Sequence, residues 1–517
     1  MPENSNLKGK RIFIFQQRGW AITVGQFLAK HLQEEGAILG ALTIKPTTHE
    51  FITNQKEVRY EMIVSNDEIK SNPKKYLNGD TYPLSEICEA LGVDSIWPIV
   101  GSARNHVHSY KDKYYYGFKQ NVSDEEIVDY VMATYKSIRR VFNDFKPDVI
   151  LSPTYGSIPH LMFNLMGKKT GIPMLVLTDA KVRGNYFFSY NYNHNEGDLF
   201  NRTDELNENR ATSANLEKAR KYIADFRKNF KAPEGYEFWN PGSKNRTLWQ
   251  KIRHFLSPFY QIFKWYTDKE QRKNYWESIG PCTDYRPPSI ILRDHFAYDR
   301  YFKFTNNYKY QPLESLKKFA YFPLQTQPEE SIDVSSPFFT NQIETARQVA
   351  MALPDDYTLA VKEHPGMVGM RSPSYLEKID RTPNVKLIDY RIPSETMLLK
   401  AAIVICPVGT TIAEAALLKK PVIQLGNLGT TLKLPNVWKH TDMSSLSSKI
   451  KEVLATDLKT KEYERRLENY VSAVYDTCFE INYNGIWERD AKEEQKNRLW
   501  EIYKKEIEKN LNKKIVK

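Results

Sequence analysis

One local grammar recurs along this chain: a short apolar run, a loop marked by glycine or proline, then a stretch of helical periodicity. The run RIFIF at 11–15 reads as a buried strand and 16–20 as a loop. Residues 22–35 read as a helix, with Val24, Phe27, Leu28 and Leu32 on one face. Gly36 stops that helix, and 38–43 supplies the next strand. The pattern returns as a strand at 147–152, a helix at 157–169 closed by Gly171, and a strand at 173–178. It breaks off over 185–307 and resumes at 319. Strand candidates then fall at 319–324, 358–362, 385–390, 402–406 and 421–425, with helices at 341–352, 394–399 and 411–419. Such alternation predicts parallel sheets with helices on both faces. A polar helical tail follows from 459, and no unit of 20–50 residues repeats.

At 517 residues the chain is too long for one ordinary domain. The expected division is an N-terminal Rossmann-like domain over 1–184, an aromatic and basic, largely helical insertion over 185–307, a C-terminal Rossmann-like domain over 308–458, and a helical tail over 459–517 that packs back on the first domain. With 41% hydrophobic and 26% charged residues there is enough apolar material for real cores. Cys88, Cys282, Cys406 and Cys478 have neither metal-ligand nor disulfide-framework spacing, which predicts a reduced, cytoplasmic setting. The opening MPENSNLKGKRIFIF does not read as a signal peptide, and no run approaches the roughly 18 apolar residues of a spanning helix. The net charge of +11 suits a polyanionic partner, whether nucleic acid, anionic lipid or acidic glycan. No nucleic-acid-binding motif appears and the basic residues are spread along the chain, so no nucleic-acid partner is expected.

Three segments could carry chemistry. In CPVGTTIAEAA at 406–416 a buried strand ends, a glycine turns the chain and a helix begins. Free backbone N–H groups and a positive helix end then lie at the C-terminal edge of a sheet, where phosphate binds. Glu414, one turn into that helix, could accept hydrogen bonds from a ribose. Thr411 and Glu414 also have capping-box spacing, which needs no ligand. In KEHPG at 362–366 a strand delivers His364 into a loop that Pro365 and Gly366 keep from becoming helix. His364 could offer a hydrogen bond or a charge to a leaving phosphate, or be a surface or packing residue. In FPLQTQPE at 322–329 a strand leaves its sheet into a proline-bearing loop, where Gln327 offers both a donor and an acceptor. The loops after three strands of one sheet converge on the crevice where open α/β sheets bind ligands.

The segments FPLQTQPE, VKEHPGMVGMR and VGTTIAEAALLKKPVI resemble the bacterial capsule polysaccharide biosynthesis glycosyltransferases, among them Kdo transferases with paired QP and HP motifs. The resemblance spans about 110 residues. It implies an α/β chain of GT-B type, two Rossmann-type domains facing a cleft, with donor in the C-terminal domain and acceptor in the N-terminal one. It also implies metal-independent transfer with no cofactor beyond the nucleotide-sugar co-substrate. On that analogy Gln327 and His364 contact the donor's nucleotide or phosphate, Gly409, Thr410 and Thr411 lie near it, and Glu414 holds the ribose. Lys362 and Arg371 would join His364 in stabilising the departing phosphate. The sequence contains no Asp-x-Asp, the usual metal-diphosphate signature of the other glycosyltransferase fold. The implied reaction moves a sugar, a CMP-linked acidic sugar favoured over a UDP-sugar, onto a glycan or glycolipid acceptor of a growing surface polysaccharide. Alternatives are a nucleotide-sugar 2-epimerase or a teichoic-acid-type polyol-phosphate transferase of the same fold, or a non-catalytic glycan-binding protein of capsule export.

The acceptor hydroxyl needs a base from the first domain. Asp179 follows directly from a strand end and is the first choice, although capping of the next segment would explain it equally. Asp148 opens its strand and so lies at the wrong edge. Gln17, Arg18 and Gly19 line the acceptor site or form a plain connection. In the insertion, which holds Trp239, Trp249, Trp265 and Trp276, Leu248, Ile252, Phe255, Phe259, Ile262 and Tyr266 follow a helical period, with Arg246, Lys251, Arg253 and Lys264 on other faces. Pro258 should kink this helix or start a second one. The composition fits a helix in a membrane interface, as expected of a peripheral protein on the inner face of the plasma membrane beside capsule assembly proteins. The same stripe could instead pack on the protein's own core.

Overall fold

The apolar runs form strands, and the strands sort into two sheets. The structure, a computed structural model, describes residues 6–102, 122–230, 247–269, 272, 287–487 and 492–515. Trp239, Arg246, Trp276 and Cys282 lie outside the described residues. The first sheet is built from β1 (Arg11–Gln17), β2 (Ile38–Ile44), β3 (Tyr60–Ser65), β4 (Val149–Leu151), β5 (Met174–Asp179), β6 (Asn185–Ser189) and β13 (Phe479–Glu480), in the order β13-β6-β5-β4-β1-β2-β3. The β3-to-β5 part is parallel, whereas β6 runs antiparallel to β5 and β13 antiparallel to β6. The second sheet holds β7 (Phe319–Pro323), β8 (Thr358–Lys362), β9 (Val385–Ile388), β10 (Ile403–Cys406), β11 (Val422–Gln424) and β12 (Val437–Lys439), all parallel, in the order β12-β11-β10-β7-β8-β9.

Strands buried on both faces need apolar residues at every position, and β1 has them. Phe13 and Phe15 pack on one face with Phe163 of the helix Ile158–Thr170, while Ile12 and Ile14 pack on the other with Leu28, Leu499 and Tyr503. The last two belong to the helix Glu493–Ile515. A third core joins the two sheets, with Phe187, Leu199 and Phe200 meeting Ile412, Ala416, Tyr470 and Val474. The chain order of the second sheet reverses between β7 and β10, which marks the crevice outside those strand ends as its ligand-binding edge.

Several local readings change. Residues 16–20 are not a loop: β1 runs to Gln17 and helix starts at Arg18, passing through a wider π-type turn at Ala21–Gly25. Trp20 is buried there, and Gly25 leaves room for its ring, which a Cβ would approach to 2.7 Å, and for Gln16. Asn185–Ser189 is a strand of the first sheet, so the α/β pattern continues past 185. Pro258 does not start a second helix; Leu248–Thr267 is one element with the proline inside it, on its buried side. No described helix is long and apolar enough to cross a membrane.

Candidate functional site

A pocket of about 760 Å³ opens between the C-terminal edges of the two sheets. One wall is formed by Asp179, Lys181, Arg183 and Tyr186 of the β5–β6 hairpin, and the helix Leu216–Lys228 adds Tyr222 and Phe226. The second domain contributes Glu329, Thr410, Ala413, Glu414 and Leu417.

The hairpin folds tightly because Lys181 adopts φ +61° and Gly184 φ +74°. Asp179 braces it: its carboxylate accepts the Lys181 N–H at 2.8 Å and the Lys181 ammonium at 3.0 Å. The local capping role is thus realised, and the same carboxylate faces the pocket. Asp148 accepts the Arg11 N–H at the opposite, N-terminal edge of the sheet.

Across the pocket the helix Thr411–Leu417 follows β10. Thr410 takes the N-cap position in helical geometry with no side-chain cap hydrogen bond, so Thr411 and Glu414 do not form a capping box. Glu414 is only 6% exposed, and burial pushes its carboxyl up to about 7 despite the opposing pull of Lys362 and Arg183. Burial likewise draws Lys362 down to about 8, offset in part by Glu414, Glu363 and Asp389. The loop before the helix needs glycine at 409, where φ is +134° and a Cβ would stand 2.8 Å from Gln325 Oε1.

The raised value at Glu414 has a measurable consequence. A carboxyl whose folded-state pKa lies above its unfolded value contributes stability at low pH that is lost as pH climbs through the folded value. Wild-type stability relative to the Glu414→Gln variant should therefore fall between about pH 4.5 and 7. Urea midpoints measured across that window check it, and parallel curves for the two proteins would refute it.

Of the residues expected at the donor site, Thr410 and Glu414 line this pocket, whereas Gln327, Lys362, His364, Arg371, Gly409 and Thr411 are not among its lining residues. The Gln327 amide is used internally: its Nε2 donates to the Thr340 carbonyl at 3.1 Å, and its Oε1 accepts from Gln342 Nε2 at 2.8 Å. At 2% exposure it shapes the loop and does not face the pocket. Arg371 is also turned inward, pairing with Glu363 Oε1 at 2.6 Å and donating to the Gln325 carbonyl. A guanidinium engaged this way, with its side chain 1% exposed, anchors the 363–371 loop. His364 is half-buried and is not among the pocket-lining residues. The Gly366 N–H donates to its Nδ1 at 3.1 Å, and burial, with Lys362 and Arg371 nearby, pushes its pKa down to about 4. The ring is therefore neutral at neutral pH and carries its proton on Nε2. A neutral ring of this kind can offer Nε2–H as a hydrogen-bond donor.

Gln17, Arg18 and Gly19 are not brought to this pocket. Arg18 and Gly19 line a separate hollow of about 340 Å³ with Ile22, Lys45, Thr47 and Thr48. The Arg18 N–H donates to Thr48 Oγ1 at 3.1 Å. Among the described residues, His254, His295 and Asp299 hold ligand-type atoms within 4.8 Å of one another, on an outer helix pair away from the pocket.

Sequence reading missed Lys181 and Arg183, although AKVRGN between two apolar runs is a hairpin signal. It also missed an inter-domain contact at Glu330. That carboxylate accepts from the Thr154 hydroxyl, from the Tyr155 N–H at 3.1 Å and from His194 Nε2 at 3.0 Å. Burial alone would raise Glu330, but these three donors outweigh it and hold the group below its ordinary value.

Residues 286–429 match the model of the capsule polysaccharide biosynthesis protein family. That span runs from before β7 through β11 and contains all three motif segments. Among solved structures, the chain is similar to the S. aureus MnaA–UDP co-structure, at 12% identity over 93% of this chain and 98% of that one, with a TM-score of 0.23. It is similar to the UDP-GlcNAc 2-epimerase from Neisseria meningitidis bound to UDP-GlcNAc, at 13% identity over 90% and 99%, with a TM-score of 0.26. A calicheamicin glycosyltransferase is similar at 12% identity over 91% and 95%, with a TM-score of 0.24. At such scores the likenesses add nothing to the strand order described above. No curated protein matches the chain. Two Rossmann-type sheets facing one pocket constitute the GT-B arrangement.

Proposed function

We propose that this protein is a glycosyltransferase that moves a sugar from a nucleotide-activated donor, a CMP-linked acidic sugar ahead of a UDP-sugar, onto a growing capsular or other surface polysaccharide. The carrying observation is the pocket in which Lys181 and Arg183 stand opposite Thr410 and Glu414, at the C-terminal edges of both sheets. Cations lining a partly enclosed site favour a phosphate and the charge it gains on leaving. Glu414 would bind the ribose hydroxyls, and His364 Nε2–H would donate to a phosphate oxygen. Asp179 would take the proton of the acceptor hydroxyl. The acceptor oxygen then bonds to the anomeric carbon as the bond from that carbon to the phosphate oxygen breaks, and the nucleotide departs with the negative charge. In this reading Arg183 supplies the counter-charge, joined by Lys181 as Asp179 takes up the acceptor's proton and releases it, and transfer needs no metal. The protein would work at the inner face of the plasma membrane, with a glycan or glycolipid acceptor.

A thermal-shift series with CMP, CDP, UDP and GDP tests the donor half. A ligand that binds the folded state at a hundred times its Kd stabilises it by about 2.7 kcal/mol, so the matching nucleotide should stand apart. No shift with any nucleotide, alongside binding of an acidic glycan, would replace this reading with a glycan-binding one. Turnover of a nucleotide sugar without acceptor would replace it with epimerisation.

A further inference from the structure

Among the described residues, the helix Leu248–Thr267 has an unpartnered face. Of the sixteen large hydrophobic residues exposed among the described residues, nine belong to this one helix. Trp249 is 72% exposed, Phe255 64% and Phe263 62%. Pro258 and Trp265, seven residues apart and so on one side, are the buried positions. That side meets the helix Pro288–Asn306, where His254 Nε2 lies 2.9 Å from Asp299 Oδ1 and the His254 and His295 rings stand 4.5 Å apart. At 3.6 residues per turn, Trp249, Ile252, Leu256, Phe259, Tyr260 and Phe263 then point away from the protein. The polar node thus fixes the orientation and leaves the aromatic stripe outward.

Charge identifies what covers the stripe. The twenty residues contain no Asp or Glu, and they carry Lys251, Arg253 and Lys264. Arg253 and Lys264 fall along one border of the apolar stripe by helical spacing. A second copy packed face to face would set these cations against their own kind across an isologous contact. A bilayer with acidic headgroups would receive Trp, Tyr and Phe at headgroup depth and pair with the bordering cations. The helix is about 30 Å long and could lie flat along such a surface. We propose that the helix Leu248–Thr267 docks the protein in the plane of an anionic lipid bilayer.

Co-sedimentation of the full chain with vesicles tests this, using phosphatidylcholine alone and phosphatidylcholine with a quarter phosphatidylglycerol. Two variants accompany it: F255S/F259S/F263S removes apolar contact, and R253E/K264E reverses the border charge. Wild type should bind the anionic vesicles about tenfold or more tightly than the neutral ones, and each variant should lose about tenfold or more on the anionic vesicles. Thermal midpoints and nucleotide-induced shifts should match wild type, which separates this surface from the pocket. Equal sedimentation of wild type and the triple variant would overturn the proposal, as would indifference to phosphatidylglycerol. A dimer in light scattering that the triple variant dissolves, with vesicles unbound throughout, would assign the face to a second copy instead.

Discussion

Replacing Arg371 by alanine is expected to destabilise the second domain by about 3–5 kcal/mol, the cost of removing one member of a buried ion pair. Both side chains of the Arg371–Glu363 pair are 1% exposed, so the abandoned carboxylate would be left away from bulk solvent. Glu363 is already pushed up by burial, and Arg371 is the charge that opposes this. Without it the variant should shed the charge by protonation, so its deficit should shrink as pH falls. The Arg371 side chain also lies 4.6 Å from the Tyr375 ring, a contact that alanine forfeits. Urea unfolding at pH 5 and pH 8 measures both effects. The double variant E363Q/R371M, which removes the pair together, should recover much of the loss. A phosphate-binding Arg371 would behave otherwise: alanine would weaken nucleotide binding and leave the unfolding midpoint unchanged.

His364→Ala is expected to slow transfer by about 10²–10³-fold, the effect of removing one fixed donor to developing negative charge. The neutral ring should make the rate insensitive to His364 titration above about pH 5, because a group held at about 4 has already lost its charge there. Stability should fall only modestly, since the main loss is the hydrogen bond that Nδ1 accepts from the Gly366 N–H. Single-turnover release of nucleotide, with the thermal midpoint as control, gives the answer. Unchanged release would remove His364 from the mechanism, whereas a large fall in midpoint would assign it to the loop. The Glu363–Arg371 pair holds that loop whatever residue stands at 364, which keeps the two variants separable.

The α/β class was legible because two-sided burial leaves a local mark. RIFIF, the run AIVIC from Ala402 to Cys406, and the helices between such strands carry their periodicity within a few residues. The motif-bearing span and its resemblance to the capsule polysaccharide biosynthesis proteins could be read for the same reason, since strand, turn and helix follow in sequence from Phe322 to Leu425. Edge strands left a fainter mark: YEMIVS in β3 is only partly buried, and β12 and β13 have three and two residues. Polar side chains left almost none. Gln327, Arg371 and Glu414 are each plausible ligand-binding residues by type, yet only the folded chain assigns the first to Gln342, the second to Glu363 and the third to the pocket wall. The partners of Glu330 lie 136 to 176 residues away, and Lys181 and Arg183 meet the helix of Glu414 only through the packing of two domains. The sequence by itself thus determined the two sheets and the edge at which a ligand can sit, because hydrophobic periodicity and turn chemistry are local. The tertiary structure decided which charges face that edge and which are spent inside, because a polar group's role depends on what distant segments bring within hydrogen-bonding reach.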